Sequence, residues 1–208
     1  MVMLVFSGIL VAWIGAWMLE LDLLARFEIF TQEWVTFLYW LMTKTIIWIL
    51  PSIWLIKRSG RNLREIFKVV SRKKALGWGF GIGIVLLALS IGARLVNGDS
   101  LALNFLSFPF LTAVIIAPVF EELLMRGAIL NTLKQKHSFL FANIVTSLLF
   151  VFLHCPGWYF TGVLRQQIFN PLGGALAICV IGFLCGLAAE RGKSIHAAVI
   201  VHLMNNIF

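Results

Sequence analysis

Residues 118–130, PVFEELLMRGAIL, place two glutamates and an arginine inside a run of apolar side chains. The run is part of an apolar segment at 105–130, which exceeds the roughly 20 residues that a helix needs to cross the hydrocarbon core of a bilayer. On insertion scales, a charged side chain at the centre of a membrane helix costs about 2.5 to 3.5 kcal/mol. A membrane helix that keeps Glu121, Glu122 and Arg126 therefore needs them for its structure or for chemistry.

The composition of the whole chain is typical of a membrane protein. Of its 208 residues, 61% are hydrophobic and 12% are charged, and the mean hydropathy is +0.96. Soluble domains are about half apolar and one quarter charged. Together with the run at 105–130, the apolar runs lie near 2–19, 34–56, 75–95, 139–155, 172–189 and 194–208. We predict an all-α, polytopic transmembrane bundle of about seven spans without strands. It forms one membrane domain, in which N-terminal helices (1–104) precede a helical core (105–208).

The segment 57–74 sets the predicted topology, because cytoplasmic loops retain Lys and Arg. Its cations are Lys57, Arg58, Arg61, Arg64, Lys68, Arg72, Lys73 and Lys74. With Glu65 as its only acid, the segment is expected in the cytoplasm, and the charge bias and the seven-span count agree with an N-terminus on the same side. The formal charge of +8 follows this topology and does not form a stripe on a soluble face, so we predict no nucleic-acid partner.

An amphipathic pattern lies within the same basic segment. Leu63, Ile66, Phe67 and Val70 recur at helical spacing, which predicts an interfacial helix with its cations on another face. Binding of anionic lipid by 57–74 is the expected role, and docking of a substrate tail is the alternative.

Helical spacing separates the three charges of the 118–130 stretch. Glu122 and Arg126 are i and i+4 with the acid first, which predicts an ion pair. Glu121 points about 100° away from Glu122 and is expected to face a cavity, where a partly dehydrated carboxylate suits a general base. The alternative is a cluster of salt bridges between helices that only fixes their packing.

Further polar side chains lie on later spans. His154 closes FVFLH at 150–154, and HLMNN at 202–206 carries His202. Spacing alone does not choose between Asn205 and Asn206 as the residue that shares a face with His202. Pro156 is expected to end the helix that carries His154. Lys44 lies in the middle of a span, where its expected partner is a carboxylate on another helix or water in a cavity.

The three motifs together, EELLMR at 121–126, FVFLH and HLMNN, resemble the CAAX protease and bacteriocin-processing family of intramembrane glutamic endopeptidases. That family carries EExxxR, FxxxH and HxxxN on successive membrane helices, and the resemblance covers roughly 105–208. It implies hydrolysis of a peptide bond in a membrane-embedded or lipidated protein or peptide, and it favours a bacterial inner membrane. By the same resemblance, Glu121 and His154 activate water, and His202 and Asn206 stabilise the oxyanion. Glu122 and Arg126 correspond to the supporting ion pair of the family.

Three alternatives remain open at the level of sequence. In the first, Glu121, His154 and His202 bind zinc, but no HExxH run accompanies them, so we favour a mechanism without a cofactor. The second is a non-catalytic immunity or scaffold protein of the same family. The third is a proton- or ion-coupled transporter, which more often has repeats and interrupted helices.

Overall fold

The computed structural model of the chain describes residues 1–170 and 173–207, and within these ranges it contains helices and no β-strand. Six helices are long and apolar enough to cross a membrane. They are α1 (Val2–Arg26), α2 (Glu33–Arg58), α4 (Arg72–Asn97), α5 (Phe108–Leu133), α6 (Phe139–Phe160) and α8 (Ala175–Gly192). Shorter helices are α3 (Leu63–Ile66), α7 (Leu164–Phe169) and α9 (Ile195–Asn205), and a 3₁₀ turn spans Glu28–Thr31.

The predicted all-α transmembrane bundle is confirmed, with six full-length spans and a shorter seventh helix. At 11 residues, α9 is only about 16 Å long, which is less than the thickness of the hydrocarbon core. Two predicted boundaries, the start of a span at 172 and the end of a span at 208, lie outside the described residues. The other predicted spans agree with the observed helices apart from shifts of several residues at their ends.

Pro156 was predicted to end the helix that carries His154, and this prediction is wrong. The helix is 22 residues long and continues to Phe160 with Pro156 inside it. Proline removes one backbone donor, but the other amides of a membrane helix have no water to bond, so continuing the helix remains favourable. His154 therefore lies within α6, six residues before its end, and not at its terminus.

The predicted interfacial helix is present but is only one turn long. Asn62 caps α3: its side chain accepts a hydrogen bond from the backbone N–H of Glu65 at 2.9 Å and donates one to the Glu65 carboxylate at 2.8 Å. The helix does not reach Val70. Val69 and Val70 are β-branched and disfavour helix, and Ser71 caps the N-terminus of α4.

The bundle is organised around α5. Its segment Leu123–Leu130 is buried along its entire length, and α5 packs against α2 on one side and α9 on another. The last helix, α9, packs most extensively against α4 and α8, while α8 also packs against α6 and α1 against α6. Charged residues on α5 therefore face protein and not lipid.

Glycines allow two of these helix pairs to approach closely. A Cβ atom added at Gly79 of α4 would lie 3.0 Å from the Ile200 Cβ of α9, and one added at Gly83 would lie 2.6 Å from the Met204 sulfur. Gly182 and Gly186 make the corresponding close contacts between α8 and α6.

Gly186→Ala is expected to destabilise the bundle by about 1 to 3 kcal/mol, the usual cost of overpacking. The added Cβ would lie 1.7 Å from Oδ1 of Asn143, whose amide is fully buried and donates to the Phe183 carbonyl. Thermal unfolding in detergent measures the loss. Gly81→Ala is the matched control, because no atom lies within 4 Å of its added Cβ. Equal unfolding temperatures for the two variants would contradict this close contact.

Candidate active site

Glu122 is the centre of a buried polar network. Its Oε1 atom accepts a hydrogen bond from Arg126 Nη1 at 2.7 Å and another from His202 Nδ1 at 2.8 Å. Glu122 is 0% exposed and Arg126 is 2% exposed. The ion pair that the i, i+4 spacing predicts is therefore present, and it also holds a histidine from a different helix.

Arg126 extends this network to two further helices. Its Nη2 donates to the Gly182 carbonyl of α8, and its guanidinium carbon lies 5.1 Å from the centroid of the Phe150 ring on α6. The same ring contacts both candidate histidines edge-on, with centroid distances of 4.7 Å to His154 and 5.6 Å to His202. Phe150 thus sets the separation between the two imidazoles.

His202 lies between two carboxylates that are adjacent in sequence. Because its Nδ1 donates to Glu122, its other ring nitrogen faces Glu121, with 3.7 Å between His202 Nε2 and Glu121 Oε2. His202 is 4% exposed and Glu121 is 7% exposed. The arrangement fixes the plane and the direction of this imidazole in a buried position.

His154 is oriented by its own helix. Its Nδ1 lies 2.8 Å from the Phe150 carbonyl oxygen, which can only accept, so Nδ1 carries a proton and donates. In the neutral ring, Nε2 then has a free lone pair, and among the described residues it makes no hydrogen bond. A ring nitrogen in this state can accept a hydrogen bond from a water molecule.

Glu121 and His154 line one cavity of about 310 Å³. Lys44 of α2 also lines it, so the cavity joins side chains from α2, α5 and α6. Four tryptophans form one part of its lining, the tryptophan wall: Trp13, Trp17, Trp48 and Trp158. His202 is not among the lining residues and reaches the cavity only through its contact with Glu121.

Asn206 follows the end of α9 and links it to α5. Its Nδ2 donates to the Ala113 carbonyl at 2.9 Å, and its Oδ1 accepts from Asn205 Nδ2 at 3.0 Å. Of the two asparagines, Asn206 is the one whose amide reaches the helix that carries Glu121. Its role toward an oxyanion stays a prediction.

A possible ligand set for a metal ion differs from the one considered at the sequence level. Among the described residues, the group of donor atoms within 4.8 Å of one another belongs to Glu122, Cys185 and His202, not to Glu121, His154 and His202. The Arg126 guanidinium already pairs with Glu122 Oε1, and its charge opposes binding of a second cation beside this carboxylate. These donors therefore suit zinc poorly.

Several residues of the site were not assigned a role from sequence. Lys44 gave a signal, a charge in the middle of a span, but nothing in the sequence indicated that it shares a cavity with Glu121. The tryptophan wall and Cys185 gave none, because aromatic and cysteine residues are common in the interiors of membrane bundles. Their place in the site becomes apparent only from the packing of the neighbouring helices.

Comparison with known proteins gives one match. A family model described as Rce1-like, type II CAAX prenyl endopeptidase Rce1-like, matches residues 102–208. This range holds Glu121, Glu122, Arg126, His154, His202 and Asn206. No curated protein and no solved structure matches the chain.

Proposed function

The chain belongs to the Rce1-like family of type II CAAX prenyl endopeptidases, and we propose that it hydrolyses a peptide bond of a lipidated or membrane-embedded substrate by a glutamate mechanism. It is an integral membrane protein of a CAAX-protease type. The observation that carries the mechanism is the shared cavity of Glu121 and His154, which come from different membrane helices. A carboxylate and an imidazole that line the same cavity can activate a water molecule between them.

The proposed reaction begins with water held by His154 Nε2 and Glu121. Glu121 takes a proton from this water as its oxygen bonds to the carbonyl carbon, and the carbonyl oxygen becomes an oxyanion. Glu121 then returns the proton to the amine nitrogen as the carbon–nitrogen bond breaks. Two peptide products leave, one with a new carboxylate and one with a new amine, and the enzyme regains its starting state.

His202 and Asn206 would stabilise the oxyanion in this scheme. His202 acts in the form that carries protons on both ring nitrogens, with Nδ1 bonded to Glu122 and Nε2 donating to the substrate oxygen. Its fixed orientation supports this role, since donors held in place before the reaction need no reorganisation when charge develops. Glu122 and Arg126 position His202 and do not contact the substrate.

We also propose that the protein resides in a bacterial inner membrane with its N-terminus in the cytoplasm, and that 57–74 binds anionic lipid. Support for lipid binding comes from the cations of this segment, most of which are exposed in the described structure: Lys57, Arg58, Arg64, Lys68, Arg72, Lys73 and Lys74. Each Lys or Arg near an anionic membrane surface contributes about 1 kcal/mol to the free energy of membrane binding.

His154→Ala is expected to slow hydrolysis of a prenylated tail peptide by about 10²- to 10⁴-fold, the usual contribution of one acid–base group. The assay uses the full chain in lipid vesicles, and mass spectrometry identifies the released fragment. His137→Ala is the control, because His137 is exposed in the α5–α6 loop. Turnover by His154→Ala equal to that of the control would refute the assignment.

The same assay separates the remaining alternatives. A chelator that inactivates the wild-type chain, with recovery on added zinc, would favour the metal-dependent version of the protease. A chain that leaves the peptide uncut while still binding it would favour a scaffold or immunity protein.

A further inference from the structure

Lys44 shares the cavity with Glu121 and His154 and has no assigned role. It lies in the middle of α2, directly before a π-helical turn at Thr45–Ile49. Such turns interrupt a helix at a cost and occur frequently at functional sites. The backbone of α2 next to Lys44 therefore differs from that of a regular membrane-spanning α-helix.

The ammonium group of Lys44 makes no direct ion pair within the described structure. Its Nζ lies 5.1 Å from the centroid of the Trp48 ring, and it makes no hydrogen bond with the described residues. The Glu121 carboxylate shares the cavity and attracts Lys44, but it is not within the 4.0 Å of an ion pair. A cation in a membrane interior normally contacts an anion, so Lys44 lacks a counterion in direct contact.

Two more donors in the cavity wall are also unsatisfied. The indole nitrogens of Trp17 and Trp48 are buried and have no hydrogen-bond partner in the described structure. Buried N–H groups usually find an acceptor. The wall formed by Lys44 and these two tryptophans thus offers donors only, while Glu121 and His154 Nε2 provide the acceptors of the cavity.

We propose that Lys44 binds the free C-terminal carboxylate of the peptide substrate, a role that rests on the proposed function. A carboxylate carries a negative charge and several acceptor sites, which match an ammonium group beside unsatisfied donors. The carbonyl of the cleaved bond is neutral until the reaction begins, so it matches the ammonium group less well. Lys44 is accordingly a specificity-determining residue of the proposed reaction.

The size of the cavity supports a chain end as the occupant. At about 310 Å³, the cavity is near the lower limit of known ligand pockets. A polypeptide that continued in both directions would need more room. A short C-terminal tail needs less, and its carboxylate then marks one limit of binding. The distance from Lys44 to Glu121 would thus set how many residues are removed.

The test compares a prenylated tail peptide with a free C-terminal acid against the same peptide with a C-terminal amide. The wild-type chain is expected to cleave the acid with a kcat/KM at least about tenfold higher, mostly through KM, since a buried charge contact contributes at least this much to binding. In Lys44→Met, the ratio of kcat/KM for the acid to kcat/KM for the amide is expected to fall near one. In Lys44→Arg, most of the preference for the acid is expected to remain. Lys136→Met, at an exposed loop position, should retain the wild-type ratio.

Binding measured without cleavage distinguishes the two proposals. Glu121→Gln should bind the radiolabelled acid peptide more tightly than the amide, and adding Lys44→Met should remove the difference. If wild type cleaves acid and amide equally well, or if Glu121→Gln binds them equally well, the role of Lys44 is refuted and the protease assignment stands. If Glu121→Gln cleaves like wild type, the proposed role of Glu121 is refuted, and the acid-to-amide ratios of kcat/KM for wild type and Lys44→Met still decide the role of Lys44.

Discussion

Glu121→Gln is expected to lower kcat for hydrolysis of the tail peptide by about 10³- to 10⁴-fold, at the upper end of what one general base contributes. Glutamine keeps the size and hydrogen-bonding capacity of the side chain, but it cannot take a proton from water. Because Glu121 lies 3.7 Å from His202 and is not part of the Glu122–Arg126 pair, the network around Glu122 should remain intact. KM and the unfolding temperature are therefore expected to change little.

Glu28→Gln is the matched control for this experiment, since Glu28 is exposed in the 3₁₀ turn that follows α1. Both variants are purified in detergent, checked for equal thermal unfolding and then assayed in vesicles. Turnover within a few-fold of the Glu28→Gln control would show that another group activates the water. Such a result would leave Glu121 as a packing residue.

Arg126→Met is expected to cost about 3 to 5 kcal/mol of stability, the typical result of removing one partner of a buried ion pair. Glu122 would then remain 0% exposed with its charge opposed only by His202. The contacts of Arg126 with the Gly182 carbonyl and the Phe150 ring would also be lost. A lower unfolding temperature in detergent and a smaller folded yield measure the effect.

Arg165→Met provides the comparison, because Arg165 is exposed and its loss should change stability little. Adding Glu122→Gln to Arg126→Met should recover part of the loss, since a neutral amide is cheaper to bury than an unpaired carboxylate. A single Arg126→Met variant as stable as the comparison would mean that the Glu122 charge is compensated in another way.

Features that depend on the length and residue spacing of a single helix could be predicted from the sequence. Apolar length and the spacing of Glu122 and Arg126 depend only on helix geometry, so the membrane spans and the ion pair could be predicted. The position of His154 could not, because it depends on how α6 continues past Pro156. In a soluble helix the proline would more often end the helix, whereas the membrane favours its continuation.

Features that depend on two or more helices were the hardest to predict. Neither the spacing of Lys44 nor its neighbours in sequence show that α2 places it beside Glu121 of α5. The hydrogen bond that His202 donates to Glu122 joins residues 80 positions apart. The sequence indicated only that both residues were polar groups in membrane segments. The short α3 was mispredicted in length because periodicity does not include the cost of β-branched residues or the competing cap at Ser71.

The tryptophan wall of the cavity has a practical consequence. The chain has eight tryptophans, and Trp13, Trp17, Trp48 and Trp158 all line the same space. Indole emission depends on the polarity of its surroundings, so about half of the intrinsic ultraviolet signal of the molecule originates beside the reacting groups. Arrival and departure of a ligand can thus be followed in real time by the colour and intensity of this emission, without a dye attached to either molecule.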